Sequence, residues 1–243
     1  MNGRLISFFF SVSLCLLGIA VEGKKAKKVD VESLIKTIGK KIWYLPLEAS
    51  SQDEVLEDVK ELIDGVSEED IKKIFNTQVE GSKRTLTFQM VLTGWNKLLK
   101  FMLDNHGPLL DFTIPEQMGY LPVDAAAFSG APEVMDLLIE YKRVDPHRKH
   151  DDGHTPFHRA CWGESPSHTA VAKILVEKAA VDWRETNSEG KTCMEMTENE
   201  NTKSFLRSLQ GGAGGEERET EGDGEGGEEN WKGTRVGTVR DEL

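Results

Sequence analysis

Apolar side chains recur along most of this chain at the three-to-four-residue spacing of amphipathic helices, and that pattern predicts an all-α protein. Val31, Leu34, Ile35 and Ile38 mark a first helix. Ser51-Gln52-Asp53-Glu54 reads as a capping box opening a second, with Val55, Leu56, Val59, Leu62 and Ile63 on one face and Gly65 as its stop. A third, short helix runs from Ser67 to about Phe75, carrying Ile71, Ile74 and Phe75. Between the first two lies the apolar connector Trp43-Tyr44-Leu45-Pro46-Leu47, expected to pack against neighbouring helices, with a partner site as the alternative. Two patterns depart from the rest. Leu5 to Val21 holds no charge at all, and the stretch from Gln210 to Asn230 has almost no apolar residue.

The middle of the chain is repetitive. Glu133-Val134-Met135-Asp136-Leu137-Leu138-Ile139-Glu140 aligns with Ala170-Val171-Ala172-Lys173-Ile174-Leu175-Val176-Glu177, and Val144-Asp145-Pro146 through Gly153 with Val181-Asp182-Trp183 through Gly190. Gly153-His154-Thr155-Pro156-Phe157-His158-Arg159-Ala160 has weaker copies beginning at Gly119 and Gly190. The differing offsets place a short insertion between helices, within Gly163 to His168, and Thr93-Gly94 onward matches Ser129-Gly130 onward. The octet resembles the ankyrin motif Gly-x-Thr-Pro-Leu-His-x-Ala, with Phe for Leu. Each part has a physical reason: Pro sits where its missing N–H has no helical partner, Thr caps the helix, and Gly permits the preceding turn. The resemblance implies a solenoid of about four helix-turn-helix units over 85–209 (85–118, 119–152, 153–189 and 190–209), the first atypical and the last truncated. Residues 21–80 would form a helical cap on its N-terminal end, and 210–239 a disordered tail.

The two ends predict a compartment. Arg4, the uncharged run and the small residues Gly18-Ile19-Ala20 have the layout of a secretory signal over 1–20, cleaved after Ala20 or, second, Gly23. Lys24, Lys25, Lys27 and Lys28 support a rival reading, an uncleaved anchor with a cytosol-facing adaptor. At the other end Arg240, Asp241, Glu242 and Leu243 resemble the Lys-Asp-Glu-Leu retrieval signal, which a receptor reads inside the secretory pathway. The expectation is residence in the lumen of the endoplasmic reticulum, touching membrane only transiently through that receptor.

Composition narrows the function. A net charge of −12 argues against nucleic acid, which requires a concentrated basic surface. Cys15 leaves with the signal, so only Cys161 and Cys193 remain, and motif register sets them at different heights in neighbouring repeats. They are expected to be free, part-buried thiols. The acidic tail from Glu216 to Glu229 suggests a weak Ca²⁺ buffer as the main alternative function. His147, His150, His154, His158 and His168 cluster in sequence without a Cys pair at zinc spacing, so no metal site is expected, and the ankyrin resemblance gives His158 a structural place at the turn. Neither a phosphate loop nor a nucleophile elbow is present. No catalytic residue or cofactor is therefore assigned, and the expectation is a non-enzymatic scaffold, escort or chaperone-associated factor for proteins of the secretory pathway. The resemblance implies binding through hairpin tips and first helices: Arg148, Lys149, His150, Asp151 and Asp152 on one finger, Arg184, Glu185, Thr186 and Asn187 on the next, and Arg159 and Trp162 between.

Overall fold

In the computed structural model of the protein the described residues are 27–44 and 49–211, the side chains of 49 and 50 excepted. The apolar N-terminal run, the acidic tail, the terminal tetrapeptide and Leu45-Pro46-Leu47 lie outside them.

Eleven α-helices fill the described residues: α1 (Val31–Ile42), α2 (Ala49–Ile63), α3 (Glu68–Asn76), α4 (Leu86–Leu92), α5 (Asn96–His106), α6 (Pro122–Ser129), α7 (Pro132–Glu140), α8 (Pro156–Trp162), α9 (Pro166–Glu177), α10 (Cys193–Met196) and α11 (Glu200–Gly211). They stack in sequence order as two rows. The inner row runs α4, α6, α8, α10 and the outer row α5, α7, α9, α11, each helix touching its row neighbours and its own partner. This is the ankyrin-type solenoid that the repeats predict.

Sequence explains the rows. Ala125, Ala126, Ala127 and Ala160 are buried on the inner helices, where their small size lets helices approach closely. Met135 and Leu138 of α7 and Val171 and Leu175 of α9 are fully buried between units, each contributing roughly 1.5–3 kcal/mol by leaving water. Pro122, Pro132, Pro156 and Pro166 all stand in the first helical turn. At the C-terminal end α11 buries Phe205 and Leu206 and turns Glu200, Lys203 and Arg207 outward. A polar last face is what ends a solenoid without inviting another unit.

The N-terminal helices do more than cover an apolar end. Helix α1 packs on α4 and α2 on α5, so this pair continues both rows, while α3 wedges against α1 and α4. Trp95 donates its indole N–H to the carbonyls of Ile42 and Tyr44 (both 3.1 Å), and Thr93 Oγ1 donates to Ile42 O (3.0 Å). These bonds satisfy carbonyls that the end of α1 would otherwise leave orphaned. Ser67 caps α3 by accepting from the Asp70 amide (3.1 Å), as its sequence pattern predicts. Helix α2 begins at Ala49, so Ser51 lies inside its first turn and is not the cap; propensity alone does not fix a helix start to within two residues.

Of the connector only Trp43 and Tyr44 are described; their carbonyls accept from the Gln89 amide and the Trp95 indole, and their rings are 42% and 76% exposed, which for these two departs from the expected packing.

Candidate protein-interaction surface

Three fingers are built on one repeating turn. The amides of Glu116, His150 and Asn187 donate to the carbonyls of Tyr120, His154 and Lys191 (3.0, 2.9 and 3.0 Å), and those of Gly119, Gly153 and Gly190 donate back to the carbonyls of the first three (3.0, 2.8 and 3.1 Å). Those glycines have φ of 87°, 80° and 75°, a backbone region that side chains disfavour. The first residue also uses its side chain: Glu116 Oε1 accepts from the Met118 amide (2.6 Å), His150 Nδ1 from Asp152 (3.3 Å), and Asn187 Oδ1 from Glu189 (2.9 Å) and Lys191 (3.0 Å). His150 and Asn187 are thus turn-makers, both under 10% exposed.

One position ties each finger to the helix behind it. His158 accepts from the Thr155 amide at Nδ1 (3.2 Å) and donates from Nε2 to the Glu185 carbonyl of the next finger (3.1 Å). Burial pushes the imidazole down to about 4, so it is the neutral tautomer that makes both bonds. Asp124 stands at the same position one repeat earlier. Its carboxylate accepts from the Leu121 amide (2.9 Å) and pairs with Arg148, the next finger's answer to the exchange of imidazole for carboxylate. Burial lifts this carboxyl above its usual range, with the Leu121 amide and Arg148 opposing. Glu195 repeats the first half of the pattern, accepting from the Thr192 amide (2.7 Å).

Arg159 is held between rings, its guanidinium 4.8 Å from the Tyr120 centroid and 4.5 Å from that of Trp162. It also pairs with Asp152. Burial pushes the Asp152 carboxyl up, but hydrogen bonds from Arg159 and the His154 amide outweigh it and hold the group below the ordinary carboxylate range. At 2% exposure Arg159 fastens a finger to a helix and presents no free cation. Tyr120 stacks on His150 (4.3 Å), and the Trp162 ring lies 4.7 Å from His154.

What remains outward among the predicted residues is a smaller set. Lys149, Asp151, Asp152, Arg184 and Thr186 are exposed on the fingers, Arg148 and Glu185 half-buried, and Trp162 is 42% exposed. The sequence reading passed over Phe128, which is 61% exposed. It stands nine residues after Gly119, as Trp162 stands nine after Gly153, so repeat register would have found it. Phe128 and Trp162 occupy one position on successive inner helices, and Trp162 lies against His154 and Arg159 at the base of a charged finger. That combination of aromatic anchors and a polar rim suits protein binding.

Cys161 and Cys193 form a disulfide, with Cα atoms 5.7 Å apart and both side chains fully buried. The expected free thiols are therefore corrected. Helix α10 is a single turn, and its first residue meets the last turn of α8; motif register had assumed a last unit keeping the height of its neighbour. His168 lies outside the fingers. Its ring rests on Gly163 and Gly130, bonded to Ser165 Oγ (2.6 Å) and to the Phe128 carbonyl (3.0 Å), and pins the inserted segment to the end of α6. Among the described residues no three His, Cys, Asp or Glu side chains converge to hold a metal, and no helix is long and apolar enough to cross a membrane.

Comparison with known families agrees with this geometry. The family described as ankyrin repeats (many copies) matches residues 123–167, and the single ankyrin repeat matches 152–187. No curated protein matches the chain. The ankyrin-repeat matches cover the stretch that holds the 150–154 finger, Phe128 and Trp162.

Proposed function

We propose that the protein is a scaffold or escort in the lumen of the endoplasmic reticulum, gripping a secretory-pathway protein with Phe128, Trp162 and the outward finger residues Lys149, Asp151, Arg184 and Thr186. Ankyrin repeats are protein-binding scaffolds, which is the coarse part of this reading. The observation that carries the binding surface is the repeated exposure of an aromatic side chain at one register position, since isolated exposed apolar residues are ordinary but a pair repeated in register is not.

Three observations support the lumen. The N-terminal run has the layout of a secretory signal, and Arg240-Asp241-Glu242-Leu243 resembles a retrieval signal for a receptor of the Lys-Asp-Glu-Leu type. The third is the Cys161–Cys193 bond, because buried structural disulfides form and persist in oxidising compartments and are rare in the cytosol. A cytosol-facing anchored adaptor has no such account of the bond.

Protease protection of microsomes tests the location. The repeats are expected to survive digestion until detergent is added, with the Cys161–Cys193 bond intact on non-reducing gels. Digestion without detergent would overturn the lumenal assignment.

A further inference from the structure

The geometry points to a second binding site, away from the finger surface: a cleft between α1 and the turn over 77–86 that takes an extended segment of a partner polypeptide carrying an acidic side chain next to an apolar one. The cleft has a volume of about 630 Å³. That lies within the roughly 300–1,000 Å³ typical of ligand pockets. One wall is α1, which belongs to no repeat; the other is the segment from Thr77 to Leu86.

The chemistry of the walls selects the occupant. Ile35, Gly39, Leu86 and the half-exposed Trp43 supply an apolar floor and lip. Lys40 on α1 and Arg84 on the 77–86 turn line this space, the Arg84 guanidinium lying 5.9 Å from the Phe88 ring centroid. Neither has a carboxylate within ion-pair reach among the described residues, although lysines nearby do: Lys36 is held by Glu32 (2.8 Å) and Lys41 by Asp58. Of the two acids on the cleft, Glu32 is engaged by Lys36, and Glu80 stands on the turn between Val79 and Arg84. Two cations outside any ion pair, across an apolar floor, leave room for an anion and an aliphatic side chain together.

The site is also preformed. Gln89 Nε2 donates to the Trp43 carbonyl (3.0 Å), and Trp95 and Thr93 hold the end of α1 as described above. On the other side the Val79 amide donates to the Arg84 carbonyl (2.9 Å) and the Gln117 amide to Ser82 O (3.1 Å), so this turn is closed and anchored to the 116–120 finger. Walls fixed in advance spare a partner the ordering cost of closing them.

The test uses the full chain and two acetylated, amidated peptides, one alternating Glu and Leu, the other with Lys for every Glu. Binding is read from tryptophan side-chain NMR signals, with Trp43 assigned by W43F. The Glu peptide is expected to move the Trp43 signal and the Lys peptide to leave it. K40E, at an exposed position, should weaken the Glu peptide about tenfold and let the Lys peptide bind, a reversal that misfolding does not produce. R84Q should weaken the Glu peptide as well. Equal binding of both peptides, binding of the Glu peptide unchanged by K40E and R84Q, or shifts confined to Trp162 would each overturn the site; the last would leave the finger surface standing by itself.

Discussion

At the scale of single residues, the third position of the two central inner helices, Asp124 and His158, governs how one repeat speaks to the next. Asp124 carries a buried negative charge whose ionic partner is Arg148 on the following finger. Replacing Arg148 by Ala strands that charge and is expected to cost about 2–4 kcal/mol in urea unfolding, whereas D124N with R148A should recover most of the loss. His158 makes the corresponding tie as a neutral ring. Its folded value of about 4 lies below the ordinary 6.5, so the unfolded chain binds the extra proton first as pH falls. The tie is fully present above pH 6.5 and is lost on acidification toward pH 4, by up to ~3 kcal/mol, and H158Q should flatten unfolding free energy across that window. Much of this was legible in the sequence only in kind. The motif gave His158 a structural place, but His150 and Asn187 read as exposed finger residues because their turn-making side-chain bonds depend on backbone geometry that a lone sequence does not display.

At the scale of elements, periodicity located the helices because a buried stripe must recur at the helical repeat, and Pro and Thr marked where inner helices start. What periodicity does not carry is axial offset. Helix α10 shrinks to one turn and comes to rest against the last turn of α8, and that displacement makes the Cys161–Cys193 bond possible. The same blindness hid the role of the 163–168 insertion, which His168 clamps onto α6 from a neighbouring repeat. The bond spans a sequence separation of 32 residues. Closing a loop of that length in the unfolded chain corresponds to about 3–4 kcal/mol in the chain-entropy description. Reducing the protein, or replacing both cysteines by Ser, should lower its thermal midpoint. Hydrogen exchange should accelerate most in α10 and α11, which rest on the end of the stack; uniform acceleration across all repeats would show the bond to have no local role.

At the scale of the whole molecule, no helix pair here buries its own apolar face, so the two rows exist only as a stack, and the pair α1–α2 belongs to it as much as the repeats do. That architecture presents Phe128 and Trp162 from the inner row, while α7 and α9 close the back. Sequence reasoning reached the architecture and one of the two aromatics. It missed the other because Phe128 sits in a degraded copy of the motif whose own octet lacks Thr and His. The claim that this inner edge holds the partner is tested most directly by placing a photo-crosslinking amino acid at Phe128, at Trp162, and at Lys173 on α9 as an outer-row control, in intact microsomes. One common protein captured from 128 and 162 but not from 173 is the predicted result; capture from 173 alone, or different proteins from 128 and 162, would contradict it.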